Sequence, residues 1–341
     1  VPRLGGVAIG MGLALSAAVS VALGWHDWSS NLLRADLYSL GLGLGLVFLV
    51  GVIDDLVGVS TAKKFLVELV AAWLLVRIGW SFSVLRLPGI GEVDLGLWGG
   101  VVSVLWIVGV TNAINLIDGL DGLAGGVVAI ISLSMLGYSV LQRNPGTMVL
   151  MAATAGSCLG FLRHNWQPAR IFMGDSGSLL LGFLLAAASV HSSLKAPAAV
   201  AILVPILALG LPVFDTLLVM LLRFLDRPKG SWGERFLRMF HADRNHIHHL
   251  LQNLGADRKR VVASLYGVAI AFCVAALAVA VTGETTLGIC LLGLEFVVIL
   301  SMRRWGRRAR EVQERAATTL ESFETQPTVD DSALARSSKS R

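Results

Sequence analysis

Apolar stretches of about 20 residues recur along this sequence, and they limit its possible folds more than any other feature. A helix rises about 1.5 Å per residue, so such a stretch spans a hydrocarbon layer about 30 Å thick. Backbone groups inside lipid must form their hydrogen bonds internally, and these stretches are too long for barrel strands. The sequence therefore predicts an all-α polytopic membrane protein. Its ten expected spans are 5–24, 37–53, 63–79, 97–117, 123–141, 147–163, 177–194, 198–222, 261–281 and 286–302.

Composition excludes the main alternatives to a membrane bundle. Hydrophobic residues make up 55% of the 341 residues and charged residues 15%, and the mean hydropathy is +0.72. Soluble domains carry about 25% charged residues. Disorder, collagen and a disulfide-stapled secreted module are therefore excluded, and the three cysteines lie in apolar runs. The net charge of +5 is modest and gives no reason to expect a nucleic-acid partner.

The distribution of Lys and Arg predicts the orientation. With a cytoplasmic N-terminus, 23 of the 28 Lys and Arg residues fall on the cytoplasmic side of the ten spans, as the positive-inside rule requires. Residues 1–302 are expected to form the membrane domain, and 303–341 a disordered cytoplasmic tail. The expected cytoplasmic loops are 54–62, 112–122, 163–176 and 223–260.

Acidic residues cluster at one end of the expected spans. Carboxylates at membrane depth are costly and usually functional, and chance would scatter them over both faces. The basic, histidine-rich loop 223–260 is expected on the same side of the membrane, facing these acids. The pattern therefore predicts a polyanion site with a bound divalent metal. For single members, a structural pair or a plain helix end is the alternative. The acids are Asp54, Asp55, Asp118, Asp121, Asp175 and Asp215.

The run TNAINLIDGLDGLAGG at 111–126 is the most informative stretch. Asn112, Asn115 and Asp118 are spaced by three, so a helix places them on nearly one face. Oxygen ligands and short polar side chains of this kind suit a hard ion such as Mg²⁺. A polar helix terminus is the alternative.

A second informative stretch is IFMGDSGS at 171–178. Asp175 is expected to bind the metal, while Ser176 and Ser178 cap a helix whose N-terminus favours a phosphate. A plain N-cap is the alternative here.

Histidines concentrate in the segment HADRNHIHH at 241–249. We interpret them as hydrogen-bond donors for phosphates and sugar hydroxyls. A zinc site is less favoured because the cysteines are remote and no HExxH pattern occurs, and a solvated basic loop is a further alternative. Glu68 lies one turn from Lys64, and a structural pair with Lys64 is the alternative to a functional role for Glu68.

These motifs resemble the polyprenyl-phosphate N-acetylhexosamine-1-phosphate transferases, which include the MraY, WecA and TagO type enzymes. The resemblance extends to about residue 302. It rests on PRLGG at 2–6, the aspartate pair at 54–55, NAINLIDGLDGLAG at 112–125, FMGDSGS at 172–178 and HADRNHIHH at 241–249. The His-Ile-His-His form is more similar to the WecA and TagO branch than to MraY. Members usually carry one further span before PRLGG, which implies eleven spans in the intact protein.

The resemblance implies transfer of an N-acetylhexosamine 1-phosphate from a UDP-sugar to a polyprenyl phosphate, with release of UMP. It further implies Mg²⁺, with Mn²⁺ as a substitute, and an active site at the cytoplasmic face of a bacterial plasma membrane. UDP-N-acetylglucosamine is the first choice of donor, and a homodimer is compatible with the family. A phosphomonoester has a second pKa near 6, so positioning and charge stabilisation should carry most of the rate.

Carried over motif by motif, the resemblance also implies residue roles. Asn115 and Asp175 bind Mg²⁺ with the diphosphate, and Asp54 orients the lipid phosphate with Asp55 as its partner. Asp118 lies in the site without an assigned role. The remaining expected substrate contacts are Phe172 stacking on uracil, Asp121 on the base edge, Lys64 near the phosphates, Arg3 and Asn112 on substrate, and Arg244, His246, His248 and His249 on diphosphate and sugar.

Two positions depart from the family pattern. Glu68 stands where relatives commonly have Gln, and Leu250 where Arg is common. The second lies in the loop associated with sugar choice.

The competing class is an anion or metal transporter, which would place its acids near the bilayer midplane, often within inverted repeats.

Overall fold

A computed structural model describes residues 2–23, 34–87, 89–194, 200–225, 246–252 and 257–324. The described chain is a helix bundle with one small hairpin. Its helices are α1 (Gly5–Ala22), α2 (Arg34–Val57), α3 (Thr61–Arg77), α4 (Leu97–Ile117), α5 (Leu123–Leu141), α6 (Pro145–Asn165), α7 (Gly174–Ser193), α8 (Leu203–Ala208), α9 (Gly210–Leu225), α10 (Ile247–Gln252), α11 (Arg258–Thr282) and α12 (Thr285–Glu324), and its strands are β1 (Val84–Leu87) and β2 (Gly91–Asp94).

Seven of the described helices are long and apolar enough to cross a membrane, judged by length and composition. This agrees with a multi-pass helical membrane protein, while the number ten stays a prediction. One expected span, 198–222, is wrong as a single helix because it divides into α8 and α9 around Leu209. Pro212 at the start of α9 has no N–H to donate to the carbonyl four residues earlier, which accounts for the break.

The centre of the bundle is α7, which is buried from Ser176 to its last residue, Ser193. Small residues let its neighbours approach closely. A side chain at Gly51 of α2 would overlap the backbone of Ser176, and one at Gly182 would overlap Thr111 of α4. The N-terminus of α7 is thereby fixed against the C-terminal end of α2.

The hairpin was not expected from an all-α prediction. β1 and β2 pair antiparallel, with Val84 opposite Asp94 and Leu87 opposite Gly91. They connect the C-terminal end of α3 to the N-terminal end of α4. The hairpin therefore lies at the opposite end of α4 from Asp118, which follows the last residue of that helix.

The last helix corrects the expected tail. α12 runs to Glu324, so residues 303–324 are helical and not disordered. Arg303 and Gly306 are buried, which gives the segment just beyond residue 302 tertiary contacts. Residues 325–341 lie outside the described part of the chain.

Candidate active site at one end of the helix bundle

Lys64 joins two of the expected acids. Its Nζ lies 3.3 Å from Asp54 Oδ2 and 2.6 Å from Asp175 Oδ2. Asp54 also accepts a hydrogen bond from the Val59 N–H at 2.6 Å, which fixes the turn between α2 and α3. The ends of α2, α3 and α7 therefore meet around one ammonium group. Lys64 thus pairs with Asp54 and Asp175, whereas Glu68 accepts a hydrogen bond from Asn112.

Asp55 occupies the start of α7. Its Oδ1 accepts from the Asp175 N–H at 2.8 Å, and its Oδ2 accepts from the Ser176 N–H at 3.0 Å and the Ser176 hydroxyl at 2.6 Å. The first N–H groups of a helix have no partner within the helix. A carboxylate from α2 thus takes the place of an N-cap side chain and meets the positive end of the helix dipole.

The expected serine caps are therefore wrong. The Ser176 hydroxyl donates to Asp55, and the Ser178 hydroxyl donates to the Gly174 carbonyl at 3.1 Å. Gly174 has a φ of +72°, and a side chain there would overlap the Asp55 carboxylate. With Asp55 bound to its first N–H groups, the α7 N-terminus is not a free phosphate site.

The two asparagines of α4 turn to different neighbours. Asn115 donates through Nδ2 to the Ser178 hydroxyl of α7 at 2.8 Å. Asn112 donates through Nδ2 to its own helix, at the Val108 carbonyl, and to Glu68 of α3. Glu68 is 1% exposed. Asn115 therefore lies beside the helix that carries Asp175, whereas Asn112 holds α3 against α4.

The donor set around Asp175 fits Mg²⁺ only as a site completed by substrate. In the described ranges no three His, Cys, Asp or Glu side chains lie close enough together to hold a metal. Asp175 offers carboxylate oxygens, and Asn115 offers its carbonyl oxygen because its amide nitrogen already donates to Ser178. Mg²⁺ is commonly bound by one or two carboxylates together with substrate phosphates. Lys64, between Asp54 and Asp175, shows that this position accepts a positive charge.

Negative charge accumulates at the end of α4. Asp118 follows the last residue of the helix, and burial together with the carboxylates of Asp175, Asp55 and Asp121 raises the pKa of Asp118. Asp121 Oδ2 accepts from the Ala169 N–H at 3.0 Å. Asp121 was expected to bind the edge of the uracil base. Its Oδ2 instead bonds the connection between α6 and α7, which leaves Oδ1 for another partner.

Phe172 and Arg3 lie on adjacent chain segments. Phe172 donates its N–H to the Pro2 carbonyl and accepts from the Gly5 N–H, both at 2.9 Å. The Phe172 side chain is 38% exposed, which leaves ring surface for stacking. Arg3 is exposed, and its carbonyl lies against Gly174. The PRLGG segment thus packs on the FMGDSGS segment, as its place in the site requires.

The described part of the histidine motif reaches the same end of the bundle. We call residues 246–252 the histidine segment. His248 packs on the connection after α4, since a side chain at Gly119 would overlap its ring. The rings of His248 and His249 lie 4.2 Å apart. Arg244, the other expected contact of this motif, lies outside the described residues.

His248 is a neutral imidazole in this environment. It is 1% exposed, and burial, followed by the nearby His249, lowers the pKa of His248 to about 3. Neither of its ring nitrogens has a hydrogen-bond partner among the described residues. A neutral ring has one N–H donor. The other ring nitrogen is an acceptor, so His248 offers a substrate one neutral donor, one acceptor and no charge.

Sequence reasoning named Asp215 among the acids but missed that it anchors the histidine segment together with Arg303. Asp215 of α9 is 0% exposed, and Arg303 of α12 is 1% exposed. Asp215 accepts from His246, from the Ile247 N–H and from Arg303. The sequence signal for this anchor was the position of the two charges. Asp215 lies within an apolar run, and Arg303 directly follows one.

Leu250 also has a role that the sequence did not indicate. It is 0% exposed and packs against Gly306 of α12. The position that departs from the family pattern is therefore a packing contact between α10 and α12.

The fold and the site define a multi-pass membrane protein with acidic and amide residues gathered at one end of its helices. A family model described as glycosyl transferase family 4 matches residues 37–193. An undecaprenyl-phosphate N-acetylglucosaminyl 1-phosphate transferase of Bacillus subtilis, named as probable, is 32% identical, with 89% of this chain and 78% of that protein covered. The chain belongs to glycosyl transferase family 4, the MraY- and WecA-like transferases, which confirms the resemblance.

Other relatives carry names for two kinds of transfer. A decaprenyl-phosphate N-acetylglucosaminephosphotransferase of Mycobacterium tuberculosis is 34% identical, covering 78% of this chain and 69% of its own length. A phospho-N-acetylmuramoyl-pentapeptide-transferase of Synechococcus is 36% identical, with 78% of this chain and 75% of that protein covered. These identities are similar, so overall similarity does not distinguish the two donor sugars.

Proposed function

We propose that the protein transfers N-acetylglucosamine 1-phosphate from UDP-N-acetylglucosamine to a polyprenyl phosphate at the cytoplasmic face of a bacterial plasma membrane. The observation that carries the proposal is the cluster of Asp54, Lys64 and Asp175 where three helices end together. Relatives of B. subtilis and M. tuberculosis are named for this transfer. N-Acetylglucosamine is chosen over the muramoyl donor because of the His-Ile-His-His form of the motif.

The chemistry needs little acid–base catalysis. An oxygen of the lipid phosphate attacks the phosphorus bonded to the sugar, a new P–O bond forms, and the P–O bond to UMP breaks, with UMP taking the electron pair. A phosphomonoester loses its second proton near pH 6, so the charges balance without proton transfer to the protein. The barrier is then mainly the approach of anions.

The side chains present suit that task. Lys64 places a positive charge beside Asp54 and Asp175 at the position where phosphates would meet. Asp54 is held by the Val59 N–H and by Lys64, so we assign it an orienting role in place of proton removal. Mg²⁺ bound through Asp175 and Asn115 would supply neutralisation of the diphosphate charge. Phe172 keeps its exposed ring surface for the uracil base.

An apolar surface for the lipid lies on the same helix as Lys64. Leu69, Val70 and Trp73 of α3 and Val104 of α4 line a shallow groove. Trp73 is 50% exposed, so the groove faces outward toward lipid. A polyprenyl chain in this groove would direct its phosphate toward the N-terminal end of α3.

UMP release tests the proposal. Purified protein in detergent receives radiolabelled UDP-N-acetylglucosamine and undecaprenyl phosphate, with Mg²⁺ in one sample and EDTA in the other. We expect UMP and a labelled lipid product only when lipid and Mg²⁺ are both present. UDP-N-acetylgalactosamine and the UDP-N-acetylmuramoyl-pentapeptide serve as competing donors.

The outcomes separate the parts of the proposal. Faster reaction with another donor would change the sugar and keep the reaction. Undiminished activity in EDTA would remove the metal. No UMP release with any donor would contradict the proposed transferase activity. Uptake of labelled ions into vesicles would then test the transporter alternative.

A further inference from the structure

We propose that Arg303 is a positioning residue for the histidine segment and that the first turns of α12 beyond residue 302 complete the active site. Arg303 acts on His246 through Asp215, without contact to substrate. The inference rests on the proposed function, because that function places His246 in the site. Its experiment includes a measurement that does not depend on transfer.

Asp215 connects three elements through one buried carboxylate. Its Oδ1 lies 2.5 Å from Arg303 Nη1 and accepts from the Ile247 N–H at 3.1 Å. Its Oδ2 lies 2.9 Å from His246 Nδ1. Since Asp215, His246 and Arg303 are all at most 3% exposed, water does not replace these bonds readily. The carboxylate thus holds the first two residues of the histidine segment to α9 and α12.

This arrangement also sets the state of the His246 ring. A carboxylate accepts hydrogen bonds, so the Nδ1 that faces Asp215 carries a proton. In the neutral ring Nε2 is then the acceptor. Arg303 is the cation that pairs with the buried Asp215 carboxylate, and removing one partner of a buried pair is costly. Loss of the guanidinium therefore affects both the position and the tautomer of His246.

A second contact fixes the other end of the short helix α10. Gly306 of α12 lies against Leu250, and a side chain at position 306 would overlap the Leu250 backbone and Cβ. Leu250 is 0% exposed. α12 therefore contacts the histidine segment directly at Leu250 and acts on its first residue, His246, through Asp215. His248, between these two positions, packs on Gly119 beside the acidic cluster.

The matched substitutions are Arg303→Met and Arg304→Met. Both remove one arginine from consecutive positions of α12, but Arg303 is buried and Arg304 is exposed. We expect Arg303→Met to lower kcat/KM for UMP release about tenfold per folded enzyme. Arg304→Met should stay within about twofold of the unchanged protein. Arg303→Lys should recover part of the loss, because it keeps the charge without the guanidinium geometry.

A double substitution distinguishes positioning from general stability. In a His246→Ala protein the ring that Arg303 positions is absent, so adding Arg303→Met should cost no more than about twofold in kcat/KM. An equal loss in both backgrounds would overturn the proposal. So would an Arg303→Met protein that has a lower Tm but unchanged kcat/KM.

A labelling measurement tests the proposal without transfer activity. Diethyl pyrocarbonate reacts with accessible, unprotonated histidine nitrogens, and mass spectrometry locates the product. We expect modification of His246 to be several times faster in Arg303→Met than in Arg304→Met. Should the unchanged protein release no UMP, the proposed function fails while this rate still decides the inference. Equal rates in the two variants would overturn it, and Arg303→Lys serves if Arg303→Met does not fold.

Discussion

Two neighbouring carboxylates act on the same helix through different atoms. Asp54 contacts Asp175 of α7 through the Lys64 ammonium, whereas Asp55 binds the first N–H groups of α7 directly. The resemblance implied that Asp55 is a partner of Asp54, and the structure shows Asp55 bound to the start of α7. Asp55 positions Asp175, and Asp54 remains the member that can face a lipid phosphate.

Asp55→Asn tests this division at the residue level. An amide has one acceptor oxygen in place of two, so the α7 N-terminus loses a charged cap contact. We expect a loss of about 1–2 kcal/mol in the free energy of unfolding, with weaker Mg²⁺-dependent binding of UMP in calorimetry. The milder Ser176→Ala should lower stability less. Full stability and full UMP binding in Asp55→Asn, with transfer abolished, would instead make Asp55 a reacting group.

Asp175→Asn tests the expected metal ligand. It removes the charge that binds Lys64 and that would bind the metal, but the amide keeps the volume of the side chain. We expect transfer to fall below detection while the protein stays folded and monodisperse in detergent. Retained transfer would exclude Asp175 from the metal site, and Glu92→Gln on the remote hairpin serves as the charge control.

The low pKa of His248 predicts acid sensitivity. An unfolded histidine takes up its proton near pH 6.5, whereas folded His248 does so near pH 3. Between these values the unfolded state binds more protons, so stability falls as pH falls. At pH 5 the loss amounts to about 2 kcal/mol. His249 and His246 disfavour the charged ring, and Asp215 favours it.

Thermal unfolding at several pH values measures this effect. The drop in Tm from pH 7 to pH 5 should be smaller in His248→Gln than in the unchanged protein. His249→Gln, at a half-buried position, should keep most of the drop. An identical drop in all three proteins would show that His248 is not the sensitive group.

Helix contacts in this bundle depend on where glycines stand within an element. Along α2, Gly51 lies against the backbone of Ser176, whereas Gly45 has no atom within 4 Å of an added Cβ. The sequence alone does not separate the two, because both sit in one apolar run. Their different surroundings provide a matched pair of substitutions.

Gly51→Ala should separate α2 from α7. We expect a loss of about 1–3 kcal/mol in the free energy of unfolding, because the methyl group meets backbone. Gly45→Ala should be neutral or stabilising by up to about 1 kcal/mol, since alanine favours helix. Thermal unfolding in detergent measures both, and equal effects would show that the α2–α7 contact is not close.

Sequence reasoning succeeded where a single physical rule decided the structure. The long apolar runs placed α4 and α5 at their observed bounds. The acids Asp54, Asp55 and Asp175 converge because the C-terminal end of α2 and the N-terminal end of α7 lie at the same end of the bundle. Failures came from tertiary contacts. A spacing of three turns side chains by about 60° around a helix, and neighbours decided that Asn112 faces α3 while Asn115 faces α7.

The C-terminal helix gives the clearest test for the molecule as a whole. A chain ending at residue 302 lacks Arg303 and Gly306, whereas one ending at residue 312 retains both. We expect the shorter chain to lose most transfer activity and the longer to keep more than about half. Folded fractions from size-exclusion chromatography normalise the rates. Equal specific activities would show that residues 303–312 are not needed for transfer.

The burial of α7 from Ser176 onward has a consequence for how the protein is made. A helix that touches only other helices gains nothing from lipid contact. At its N-terminal end Asp175 is bonded by Lys64 of α3, Ser176 by Asp55 of α2 and Ser178 by Asn115 of α4, and all three helices precede it in the chain. We therefore expect α7 to leave the insertion machinery only when the earlier helices are already next to it. The active site would then assemble in the same step in which this helix enters the membrane.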